Sequence, residues 1–160
     1  MILKTGHSGG HTFEYFTKKI VVSLYADWTI TVCFSTDIQA ARQQQDIVRT
    51  FGSIEPRSNA GFCETHPNVL RTLVMLPLHP VDYRLPHEAT IAHESYHAAR
   101  AILEKVGVGD NEEGTAYLLE HIVLKITHFG KDVYDFMQDV LEDVKKEKQK
   151  EKDAKTIGKK

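Results

Sequence analysis

Two β-rich runs stand out first along the chain. Ile20, Val21, Val22, Leu24 and Tyr25 form one, and Thr29, Ile30, Thr31, Val32, Cys33 and Phe34 the other. Ala26, Asp27 and Trp28 separate them, so residues 19–35 predict a β-hairpin. A helical pattern follows, with Ser35, Thr36 or Asp37 at its N-cap, Ile38, Ala41, Val48 and Phe51 on one side, and Gly52 after its end. Pro56 and Asn59 break the pattern over residues 53–59. Gly61, Phe62 and Cys63 then face residues 69–78 across His66, Pro67 and Asn68, which predicts a second hairpin. Residues 70–76 alternate imperfectly, as a strand covered on both sides does.

Pro77, Pro80 and Pro86 forbid regular structure until a helical half begins. Its apolar spacing predicts helices over about 87–106, 112–129 and 131–148, separated by residues 107–110 and by Gly130. Residues 1–17 are weakly patterned and read as an irregular or edge segment. This order predicts an α+β domain: a small, mainly antiparallel sheet packed on a helical half.

Length and charge refine the picture. A chain of 160 residues, 41% hydrophobic, suits a single domain. No apolar run approaches the ~20 residues of a membrane span or resembles a secretory signal, so no membrane partner and a cytoplasmic location are expected. Cys33 and Cys63 lack C-x-x-C spacing and read as buried free thiols. Residues 1–144, the expected domain, carry net −7, whereas the tail at 145–160 carries net +5. Such a tail offers nucleic acid an electrostatic surface, but Glu147, Glu151 and Asp153 interrupt it and no aromatic residue stands ready to stack on bases. A solvated helix end or a disordered tail is the expectation, with nucleic acid as the lesser alternative.

The chemistry is concentrated in His93-Glu94-Ser95-Tyr96-His97, an H-E-x-x-H sequence inside the first helix of the helical half. Residues four apart on a helix share a face, so His93 and His97 can offer imidazole nitrogens to one zinc ion. Glu94 can reach a water on that ion and act as general base. The plain alternative is an amphipathic helix with half-exposed histidines. A third ligand is expected from the next helix, where Glu112, Glu113 and Glu120 are candidates. Tyr117 or His121 can then donate a hydrogen bond to the oxyanion, and Glu120 can alternatively orient a ligand imidazole. Outside this motif, His7 and His11 have Gly9 and Gly10 between them, which disfavours a metal pair. His66, His79 and His128 are isolated, Tyr83 and Arg84 read as loop residues, and His87-Glu88 reads as the first helical turn.

The segments I-A-H-E-S-Y-H-A-A-R at 91–100 and E-E-G-T-A-Y-L-L-E at 112–120 resemble small phage-encoded zinc metallopeptidases. Residues 18–78 are similar to that group in element order only. The resemblance implies a zincin-like fold, with His93, His97 and Glu113 as ligands and Glu94 as base; the E-x-x-A-Y run starting at Glu113 resembles the third-ligand segment of compact zincins. It also implies a host cytoplasmic location. Two departures matter: the third histidine of metzincins has no counterpart between residues 98 and 103, and Asn111-Glu112 begins an N-E-x-x-x-D pattern that fails at Ala116. In that register Glu112 would be the ligand. The expected function is hydrolysis of a protein or peptide substrate paired with a sheet edge at residues 70–76. The alternative is a catalytically silent, zincin-like metal-binding protein that holds a host protein or, through its tail, nucleic acid.

Overall fold

The computed structural model describes residues 2–8, 10–25, 27–52, 60–66, 69–109 and 111–157. Five strands form one sheet: β1 (Ile2–Ser8), β2 (His11–Val22), β3 (Trp28–Ser35), β4 (Phe62–Thr65) and β5 (Arg71–Pro77), in the order β1-β2-β3-β5-β4. All neighbours are antiparallel except β3 and β5. Both hairpins anticipated from the sequence are present, β2 with β3 and β4 with β5. Their turns at residues 26 and 67–68, and the break at 53–59, lie outside the described residues.

Alternation along the strands assigns each face its own core. Phe16, Ile20, Ile30, Val32, Phe34, Val74 and Leu76 meet the helices α3 (Glu88–Lys105) and α4 (Glu112–Ile157). Cys33, Leu73 and Met75 point the other way, toward α1 (Ile38–Ala41) and α2 (Gln45–Phe51). Both faces of β5 are therefore covered, which accounts for its broken alternation. The α+β class and the helical half, α3 and α4 on one face, are as expected, and the short helices α1 and α2 add a layer on the other face.

Four further details depart from the sequence pattern. Residues 1–17 are not irregular: β1 and the start of β2 form a hairpin, paired from Ile2↔Thr17 to Ser8↔His11. Gly6 belongs there because a Cβ would stand 2.2 Å from the ring of Phe13. The segment predicted as one helix over 35–51 is two, with Asp37 capping α1 through the amide of Ala40 at 2.9 Å and an extended Gln44 starting α2. Gly130 does not end a helix, and α4 runs unbroken through it. A Cβ at Gly130 would lie 3.0 Å from Leu85 Cδ2 and 3.2 Å from Phe34 Cζ, so this glycine serves close approach to the sheet. Finally, β5 is internal; β4, bonded only to β5 among the described residues, is the edge on that side. The basic segment continues α4 to Ile157, and no described helix is long and apolar enough to cross a membrane.

Candidate active site

Helix α3 begins just after Pro86. His87 caps it, its Nδ1 accepting from the amide of Ala89 at 3.1 Å, and Glu88 occupies the first turn, where a carboxylate favours the helix dipole. Ile91, Ser95, Ala98 and Ile102 form a buried stripe, with Ala99 and Leu103 beside it. The small Ala98 and Ala99 are fully buried and let the helix sit close to its neighbours. Burying that stripe turns positions 93 and 97 outward, and both histidines are exposed.

The two imidazoles converge. Nε2 of His93 lies 3.1 Å from Nε2 of His97, with ring centroids 4.6 Å apart and planes at 87°. Two nitrogens bound to one tetrahedral zinc at ~2.1 Å stand about 3.4 Å apart. The pair is therefore spaced for a shared ion to within a few tenths of an ångström.

Glu94 points differently from its neighbours. It is only 6% exposed, and burial holds its carboxyl above the ordinary carboxylate range, opposed by His93 and His97. Gly61, at φ +136°, brings the start of β4 against it: a Cβ there would stand 3.4 Å from Glu94 Cγ and 3.3 Å from Thr90 Cγ2. Between β4 and α3 runs a groove of about 510 Å³, with Glu94, His97, Arg100 and Glu104 on its helical wall. Arg100 donates to the carbonyl of Gly109 at 2.7 Å and to Glu104 at 3.2 Å, tying the end of α3 to the following turn. Cys63 on the strand wall is a free thiol, pushed up by burial and then by Glu94 and Glu64. Cys33 is likewise free and is fully buried, as the sequence predicts, whereas Cys63, expected to be buried too, is only partly so.

The other anticipated residues are not gathered here. Glu112 and Glu113 are exposed in the first turn of α4, and Glu120 is exposed two turns on. Tyr117 and His121 line a separate cavity of about 350 Å³ with Val22, Tyr25 and Leu118. Among the described residues no three His, Cys, Asp or Glu side chains converge on one point. His7 pairs across the first hairpin with Thr12, and His11 with Ser8, so the two histidines project from opposite faces. In the loop before α3, Asp82 bridges His79 and Arg84, each at 2.6 Å. Tyr83, at φ +56°, donates to Glu14; burial and that carboxylate push its phenol up to about 12.

The strand wall of the groove escaped sequence reasoning. Gly61 was its one local signal, and nothing in the spacing of β4 connects it to α3. No protein-family model, curated protein or solved structure matches the chain.

Proposed function

We propose that the chain is a zinc-dependent peptidase, with His93 and His97 as two metal ligands and Glu94 as general base. The observation that carries this reading is the 3.1 Å approach of the two Nε2 atoms beside a buried carboxylate on a groove wall. The pair suits zinc in two positions; no third side chain converges on it among the described residues, and the element proposed to bring one is α4. A short turn returns α4 along α3. Counted outward from Lys105 and Glu112, the ends of that turn, Glu120 comes level with His97. Glu113 comes level with Glu104, seven residues and about 10 Å farther along the axis. Glu120 is therefore the favoured third ligand, ahead of Glu113 and Glu112.

Zinc bound there supplies Lewis acidity toward the scissile carbonyl and makes water more acidic. Glu94 takes a proton from the attacking water, whose oxygen bonds to the carbonyl carbon, and passes that proton to the amine as the C–N bond breaks. The outer backbone groups of β4 pair with an extended peptide laid along the groove past Glu94 and His97.

Zinc content, measured by elemental analysis, tests the site. The wild type is expected to hold about one zinc per chain, as are Glu94→Gln and Glu112→Ala. His93→Ala, His97→Ala and Glu120→Ala are expected to lose it, and Glu113→Ala to keep it. A wild type that takes up no zinc when supplied overturns the reading; loss in Glu113→Ala with retention in Glu120→Ala moves the third ligand only.

A further inference from the structure

Tyr117 and His121, the oxyanion donors expected from the sequence, belong to the other cavity, whereas Tyr96 stands next to His97, which lines the groove. We infer that Tyr96 is the oxyanion donor: its hydroxyl hydrogen-bonds to the substrate carbonyl oxygen as negative charge develops there. The inference rests on the zinc reading of His93 and His97.

Position supports it first. Residues 93, 96 and 97 stand at i, i+3 and i+4 of one helix and are neighbours on its surface. The edge of the Tyr96 ring meets His97, with centroids 6.1 Å apart and planes at 60°. Tyr96 is 44% exposed. Among the described residues that ring contact is its one specific interaction, and the hydroxyl has no hydrogen-bond partner. The Tyr96 ring therefore stands beside His97 with its hydroxyl proton uncommitted.

Of the groove's own side-chain donors, Thr65 shares a hydrogen bond with Thr72 at 3.1 Å. Tyr83 is bonded to Glu14, and Tyr15 to Asp46. The Arg100 guanidinium is held by Gly109 and Glu104. Tyr25 and Tyr117 line the second cavity. A neutral phenol also suits the task chemically, since it donates without repelling a metal cation, as a protonated histidine would.

The test needs no peptide substrate. Acetohydroxamate, a small anion that binds zinc through oxygens, serves as the oxyanion probe, and its affinity for the zinc-loaded protein is measured by calorimetry. Tyr96→Phe is expected to bind it about tenfold more weakly, the loss of one hydrogen bond to a charged oxygen. Zinc content and melting temperature should be unchanged, because the lost atom is an exposed hydroxyl. Tyr117→Phe and His121→Ala should bind the probe as the wild type does. Equal affinity in wild type and Tyr96→Phe, with zinc retained in both, overturns the role of Tyr96 and leaves the zinc site standing. Absence of zinc from the wild type removes both.

Discussion

Glu94 is held between opposed influences, and the stronger one decides its proton affinity. Burial disfavours the carboxylate, while the neighbouring imidazoles favour it, and the net direction is upward. In the metal-free chain the folded state then binds this proton more tightly than the unfolded state does. The associated stability is fully present below the ordinary glutamate value of ~4.3 and is lost as pH rises through the raised folded value. Replacing the carboxyl by a neutral amide removes that loss. Glu94→Gln should therefore raise the melting temperature of metal-free protein at pH ~7 but not at pH ~4, where Glu94 is already protonated. Thermal scans at both pH values check this; an equal shift at both would attribute the effect to packing. The H-E-x-x-H pattern alone made the convergence of His93 and His97 legible, because helical spacing puts positions 93 and 97 on one face. The burial of Glu94 was not legible, since it depends on Gly61 from a distant strand.

At the scale of elements, one residue type carried two different meanings. Gly52 ends α2 as the sequence predicts, at φ +79° and ψ −171°, a backbone conformation that glycine alone adopts readily. Gly130 has the same sequence appearance, yet α4 passes through it because the apolar stripe does not pause: Ile126, Phe129, Val133 and Met137 continue at helical spacing, and all are buried. Periodicity was the better guide here than the glycine. Alanine at 130 sets two effects against each other. Helix propensity favours it by about 1 kcal/mol, whereas its Cβ would meet Leu85 at 3.0 Å and Phe34 at 3.2 Å. Overpacking of a buried contact costs about 1–3 kcal/mol, so Gly130→Ala should destabilise the protein by ~1 kcal/mol in urea unfolding. A gain in stability would show that Leu85 yields freely. The first hairpin was missed for a related reason. Glycine, histidine and serine dilute its β signal, and the aromatic cover that Phe13 gives Gly6 exists only once the strands have paired.

The molecule as a whole joins an acidic body to a basic helix end, and the junction is a structural boundary as well as an electrostatic one. Among the described side chains Met137 is the last buried residue of α4, and Gln138 makes a tether just beyond it, to the carbonyl of Asp82 at 3.0 Å. Residues 142–153 are exposed throughout and are supported locally by pairs such as Lys146 with Asp143 and Gln149 with Asp153. Such pairs contribute only a few tenths of a kcal/mol each, enough to favour helix but not to stabilise the body. The strand order of the body could not be read from the sequence, because the parallel partnership of β3 and β5 is set by a crossover rather than a turn. The charge boundary, by contrast, was plain. A chain ending at Val144 should therefore melt within about 2 °C of the full chain, since no buried contact is removed. Its net charge falls from −2 to −7, so any affinity for DNA at low salt should vanish with the tail. A large drop in melting temperature would instead place residues 145–157 against the body and make them part of the fold.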